Sequence, residues 1–333
     1  MRVKSSLKEV PVTEAVGMVL AHDLTQVLPG RYKGPLFRKG HIIQEDEIDD
    51  FLSIGKEHIY VMELAPGEMH ENDAALSIAR AVSGSRTSLT KPREGKVTLS
   101  ADIDGLLKVD ASRVHAINEV EQAVVSTLPS DVPVTEGQPV AASRVIPLIY
   151  PEDRIQSVKA IARAADRPVV EVHPFRKLQV GVVTTGSEIY HGRIQDRFGP
   201  VIQEKLQAYG SVVMGQTLAG DDKEWIQAQI RSFVDRGADL VLVTGGMSVD
   251  PDDRTPGAIA GLGAEVVSYG TPMLPGSMLM IAYYREVPVL GLPGCVIHDA
   301  HTSFDVFLPR ILAGEKVRRE DVTRLGYGGL HSC

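Results

Sequence analysis

The sequence predicts an α/β protein whose C-terminal part is a mostly parallel sheet with helices on both faces, preceded by a β-rich domain and a small α+β domain. Three observations predict it. The runs LQVGVVTT (178–185), ADLVLVTGG (238–246) and VPVLGLPG (287–294) are near-continuously apolar, as strands buried on both faces are. Segments of helical spacing separate such runs, which is the βαβ signature. Upstream, the segments are short, alternating and divided by Gly, Pro and Asp turns.

In chain order, 73–82 (DAALSIARAV) reads as a helix opened by Asn72, and 83–95, rich in Ser, Thr, Pro, Gly and charge, as a linker. Segments 96–101, 105–110, 123–128 and 143–150 read as strands. A helical stretch at 158–166 and RPVVEVHPFRK (167–177) lead into the α/β region. The divisions expected are 1–85, a small α+β domain; 92–150, a β-rich domain; 151–177, a helical linker; 178–314, the α/β domain; and 315–333, a tail. Within the α/β domain a helix starts at Pro200 and stops at Gly210. Asp221 and Glu224 form a D-x-x-E cap for a helix whose Ile226, Ile230 and Phe233 recur at helical spacing. Further strands are expected at 211–218, 264–270 and 277–284, and a helix over 296–314, ended by Gly314.

The chain has 333 residues, 43% of them hydrophobic, enough for more than one core. Its opening residues lack an apolar signal region and no run approaches a membrane span, so a cytoplasmic protein is expected. Cys295 and Cys333 supply neither a disulfide framework nor a zinc spacing. The net charge of −8, without a basic stripe, argues against nucleic acid as the main partner but leaves room for a small anion held by local loops.

The chemistry concentrates in VTGGMSVDPDDRTPGA (243–258). A buried strand ending in two glycines, with a helix to follow, presents backbone N–H groups to an anion. Asp250, Asp252 and Asp253 would repel a phosphate unless a divalent cation or an arginine lay between, so phosphate plus metal is one reading and an ordinary capped loop the other. Other loops after strands gather at the same end of a doubly wound sheet: TTGSE (184–188), LAGDD (218–222) and GLPGC (291–295). Thr185, Gly186, Ser187, Gly245, Gly246, Ser248, Pro293 and Gly294 therefore become candidate ligand contacts. Asp253 and Asp221 are each open to a metal-binding or a helix-capping reading. Asp196 and Arg197 stand just before a helix start, where Arg197 would pair a phosphate or a surface acid. Cys295, His298, Asp299 and His301 invite a metal reading, but their spacing suits a surface or site-wall role better, with His298 and His301 able to share one helix face. A P-loop is absent from the sequence.

From 178 to 314 these motifs resemble the molybdopterin-binding domain shared by molybdopterin adenylyltransferase and molybdopterin molybdotransferase. VTTGSEI (183–189) and TGGMSV (244–249) resemble the molybdotransferase; QDRFGP (195–200), GDDKEWI (220–226) and DDRTPGA (252–258) are similar to the adenylyltransferase; GLPG with FLPRIL (307–312) resembles both. The resemblance implies a molybdopterin ligand, Mg²⁺ on Asp253 and Asp221, catalytic roles for those two acids, and pterin contacts from Thr185, Gly186, Ser187, Asp196, Gly245, Gly246, Ser248, Asp250, Pro293 and Gly294. It further implies ATP and molybdate as possible co-substrates and a homo-oligomer. The chain departs from the molybdotransferase at Cys295–His298, where that family has Asn-Pro-Val-Ser, and 11–24 matches its opening only faintly. The expected function is molybdenum cofactor biosynthesis or handling, by Mg-dependent adenylyl transfer or molybdate insertion. The alternatives are a non-enzymatic pterin-binding sensor and a nucleotide-pyrophosphate hydrolase.

Overall fold

A computed structural model describes residues 7–28, 32–62, 64–248, 250 and 253–331. The chain divides into two compact units, one of residues 1–103, 107–130 and 134–172, the other of 104–106, 131–133 and 173–333.

In the first unit, Leu7–Pro11, His58–Met62 and Val19–Leu20 form a three-stranded antiparallel sheet beside the hairpin Leu24–Leu28/Tyr32–Phe37. A four-stranded antiparallel sheet follows, in the order Ala123–Thr127, Pro139–Val145, Lys96–Ala101, Thr87–Leu89. The alternation of KVTLSA is real: Val97, Leu99 and Ala101 are buried and the residues between them are not. Helix Glu71–Val82 buries Ala74, Ala75, Ile78, Ala79 and Val82, a stripe at i, i+4 and i+8. Two local expectations need correction. The helix is capped by His70, whose ring Nδ1 accepts from the Asn72 N–H at 3.2 Å, while the Asn72 side chain turns away to accept from Gly95 N–H. The stretch expected as a linker contains the edge strand Thr87–Leu89, polar enough to read as a loop yet paired along Lys96–Ala101. Within 151–177 lie helix Glu152–Ala162 and strand Val170–Pro174.

The second unit is an α/β layer structure. Its six-stranded sheet runs Val212–Ala219, Gln179–Thr185, Leu240–Thr244, Val287–Leu292, Met280–Tyr284, Glu265–Tyr269. The first four strands are parallel and the last two antiparallel. Successive side chains face opposite sides of a strand. Val180, Val182, Leu240 and Leu242 meet Ile202 and Leu206 of helix Phe198–Gln207 and Phe304, Phe307, Leu308 and Ile311 of helix Ser303–Leu312. Val183, Val241 and Val243 meet Ile226, Ile230 and Phe233 of helix Lys223–Asp235 and Ala258 and Ile259 of Thr255–Ala260. The continuous apolar runs are explained by these two cores. Gly181 is required by the second, since a Cβ there would lie 2.4 Å from Phe233 Cγ.

Three helix starts differ from expectation, each because a different side chain satisfies the orphan N–H groups. Helix Phe198–Gln207 begins before Pro200, because the Asp196 carboxylate accepts from Phe198 N–H at 2.9 Å and Gly199 N–H at 3.1 Å. Helix Lys223–Asp235 is capped by Asp222, which accepts from Trp225 N–H at 2.7 Å; Asp221 is thereby released from the capping role read for it. The expected helix over 296–314 is two pieces. A helical turn Gly294–Ile297 is followed by helix Ser303–Leu312, started by a capping box of Thr302 with Asp305. His298, Asp299 and His301 precede that helix, so they do not share a face of it.

Candidate functional site

The carboxyl end of the parallel strands carries a cleft of about 550 Å³. Three segments surround it: Gly245–Ser248 with Asp253, leaving strand Leu240–Thr244; Leu292–Cys295, leaving strand Val287–Leu292; and Leu274–Met278. Phe198, at the start of its helix, closes one wall.

Backbone conformation selects the residues of the first segment. Gly245 and Gly246 have φ of +86° and +55°, the left-handed region disfavoured for residues with a Cβ. A Cβ on Gly245 would lie 2.2 Å from the Thr185 carbonyl oxygen, so the double-glycine turn passes directly against the end of the neighbouring strand. Thr255 holds the turn from beneath: its buried hydroxyl donates to the Gly245 carbonyl at 2.8 Å and lies 3.1 Å from Thr185 Oγ1. The Thr255 N–H donates to the Gly246 carbonyl at 3.2 Å. On the far side, the Tyr269 hydroxyl donates to the Met247 carbonyl at 2.9 Å. Burial, and then the nearby Asp253 carboxylate, push the Tyr269 phenol above its usual range, so it remains a donor at all ordinary pH. The Gly246–Ser248 turn is therefore held rigidly from two elements, with the exposed Ser248 at the mouth of the cleft.

Asp253 lines the cleft but does not cap the helix after it. Its carboxylate accepts from Asp250 N–H at 3.1 Å, and its own N–H donates to the Asp250 carbonyl at 2.9 Å, closing the acidic loop on itself. Asp252 lies outside the described residues. Asp221 accepts from both the N–H and the hydroxyl of Ser187, at 3.0 and 2.6 Å, so it orients the TTGSE loop. Gly186, φ +130°, donates its N–H to the Ala219 carbonyl in the same corner. Asp196 is tied to its helix and to Gln216, whose amide reaches both Asp196 at 2.6 Å and Thr184 at 2.8 Å.

The structure thus brings Gly245, Gly246, Ser248, Asp253, Pro293 and Gly294 to one cleft. Thr185 supports that cleft from behind, and Gly186, Ser187, Asp221, Asp196 and Asp250 are engaged beside it by protein groups. Sequence reasoning missed the apolar part of the wall, Phe198, Met247, Leu274 and Met278, and the Tyr269 strut. The only available signal for Leu274–Met278 was its Pro-Gly pair between two strands. Cys295 is part of the wall; Cys333 lies outside the described residues.

The donor set does not make a protein-ligated metal site. Among the described residues no three His, Cys, Asp or Glu side chains converge on a point. Asp221 and Asp253 each commit an oxygen to a protein N–H. The residues do suit a partly apolar, anion-bearing ligand: glycine-turn backbone and a serine hydroxyl beside the apolar side chains of Phe198, Met247, Leu274 and Met278. Among the described residues, no helix is long and apolar enough to cross a membrane.

Comparisons with known proteins bear on both units. Residues 9–63 match a family described only as a domain of unknown function. Over 82 residues the chain is 38% identical to a CinA-like protein of Mycobacterium tuberculosis, which is 25% of this chain and 19% of that protein; the chain spans about a fifth of the length of such curated relatives. Solved structures similar to it include the molybdopterin biosynthesis enzyme MoaB of Thermus thermophilus (25% identical, 41% of this chain and 98% of that one, TM-score 0.35). Another is the CinA protein of Thermoplasma acidophilum (19% identical, 35% and 89%, TM-score 0.32). The model of the family described as "probable molybdopterin binding domain" matches residues 181–313, which span the strands, the glycine turn and the Pro293–Gly294 loop. Residues 181–313 therefore match the molybdopterin-binding domain family, and it is to that segment that the family applies.

Proposed function

We propose that the protein binds a molybdopterin-type pterin in the cleft of its α/β unit and acts in molybdenum cofactor biosynthesis or handling. One observation carries the reading: the family's matched region includes a rigid glycine turn that opens, together with Pro293–Gly294, into a cleft of about 550 Å³. The backbone of Gly245 and Gly246 and the Ser248 hydroxyl receive the ligand's phosphate. Phe198, Met247, Leu274 and Met278 cover the flat ring, and Pro293 and Gly294 leave the floor low enough for it to enter. Asp253 accepts a hydrogen bond from a ligand N–H or O–H; facing the phosphate instead, it would repel it. Thr185, Gly186, Ser187, Asp196, Asp221 and Asp250 hold the surrounding loops in place.

Adenylyl transfer with ATP, or molybdate insertion, is the activity the reading admits, with Asp253 orienting the ligand through its N–H or O–H and Asp221 acting through Ser187. Positioning of the two reactants would supply most of the rate. Anaerobic isothermal titration with molybdopterin tests the binding step. Saturable micromolar binding, weakened about tenfold or more by Gly294→Val, which adds bulk where nothing else lies within 4 Å of a Cβ, is the expected result. Undiminished binding by the variant would move the ligand elsewhere.

A further inference from the structure

Thr184, Thr185, Thr244 and Thr255 are buried around the carboxyl ends of the central strands, and the protein itself uses three of their hydroxyls. Thr184 Oγ1 accepts from the Gln216 amide at 2.8 Å, Thr185 Oγ1 lies 3.1 Å from Thr255 Oγ1, and Thr255 donates to the Gly245 carbonyl. Thr244 is the exception. It is 0% exposed, and its hydroxyl has no hydrogen-bond partner among the described residues. A buried hydroxyl left in that condition costs stability. Valine has nearly the same shape and no such cost, and the four residues before Thr244 are Leu, Val, Leu and Val.

Strand geometry says where this hydroxyl stands. Leu240 and Leu242 of the same strand pack on the face that carries helices Phe198–Gln207 and Ser303–Leu312, so Thr244, two residues on, projects to that face. Register sets Thr244 beside Thr184 on one side and Leu292 on the other. Leu292 belongs to the same face and lines the cleft, and so do Phe198, at the start of the covering helix, and Gly245, the next residue in the chain. The orphaned hydroxyl therefore stands at the inner end of the cleft, where the glycine turn meets the strand that leads to Pro293–Gly294.

We propose that Thr244 determines ligand specificity in the α/β cleft: its hydroxyl hydrogen-bonds a nitrogen or oxygen at the edge of the ligand's heterocyclic ring, which enters between Phe198 and Leu292. The proposal rests on the pterin reading of that cleft and adds to it the group that reads the ring. Apolar walls hold any flat ring. A buried hydroxyl separates a ring edge that bears heteroatoms from one that bears only carbon, because the second leaves the hydroxyl unpaired. Since a hydroxyl both donates and accepts, it serves a ring nitrogen, N–H or carbonyl.

The test is anaerobic titration with molybdopterin of the full chain and of Thr244→Val, Thr244→Ser and Gly294→Val, together with the thermal midpoints of the free proteins and of Thr184→Val. Thr244→Val should weaken binding roughly three- to tenfold, the loss of one hydrogen bond, with a midpoint no lower than the parent's. Thr244→Ser, which keeps the hydroxyl, should retain the parent's affinity. Thr184→Val, which removes a hydroxyl that Gln216 uses, should lower the midpoint. Parental affinity in Thr244→Val, with binding still weakened by Gly294→Val, overturns the proposal and leaves the pterin reading standing. A Thr244→Val midpoint that falls as far as that of Thr184→Val also overturns it, since the hydroxyl then serves the fold. Absence of binding by the parent overturns both.

Discussion

Gly245→Ala separates the two reasons for a glycine at the turn, conformation and close approach. At φ +86° an alanine costs roughly 1–2 kcal/mol from its backbone alone. The new Cβ would also stand 2.2 Å from the Thr185 carbonyl oxygen and 3.0 Å from Thr185 Oγ1. Both atoms end a central strand, so the turn must shift, at roughly 1–3 kcal/mol more by analogy with overpacked cores. The sum is about 2–5 kcal/mol, or of order 10 °C in the unfolding temperature of a unit this size. Gly237→Ala is the internal control, with φ +87° and nothing within 4 Å of its Cβ; it carries only the first term. Thermal unfolding followed by circular dichroism, with urea titration for the free energies, reads the three proteins. If Gly245→Ala loses no more stability than Gly237→Ala, the turn does not press against Thr185 and the rigid cradle argued above is wrong.

Three further outcomes follow from particular contacts. Asp222→Ala should lose about 1 kcal/mol of stability, as removal of a helix N-cap does, whereas Asp221→Ala should lose less and instead raise amide hydrogen exchange at Ser187; equal exchange in the two variants would contradict the assignment. Asp196→Ala removes acceptors from Phe198 and Gly199 N–H and should also cost about 1 kcal/mol by urea titration. His70 is fully buried and its pKa is lowered from 6.5, chiefly by burial. A depressed folded-state pKa means that the neutral ring's contribution is complete above pH 6.5 and lost as pH falls through the lower folded value. His70→Gln should therefore flatten the decline of stability with acid below pH 6.5, and an unchanged decline would show that His70 is not the titrating group.

The sheet was legible in the sequence because strands buried on both faces read as unbroken apolar runs, and Leu240–Thr244 is buried at every position. The glycine turn was legible because positive φ restricts the choice of residue so severely. The acids were not. Asp221 and Asp222 are neighbours of one chemical type, and only geometry decides which carboxylate meets Trp225 N–H and which meets Ser187. Leu274–Met278 was missed for a different reason: an apolar loop wall has no period, and its place in the cleft depends on residues distant in sequence. Helix 296–314 was drawn too long because the apolar spacing runs on past Thr302, where the capping box with Asp305 makes a fresh start.

The central claim, a pterin held against the glycine turn, is tested most directly by hydrogen–deuterium exchange of the full chain with and without molybdopterin under anaerobic conditions. The account predicts slower exchange in peptides covering 245–248 and 292–296, with little change at 36–41 and 92–98. Protection confined to other segments, or none at saturating ligand, would contradict it.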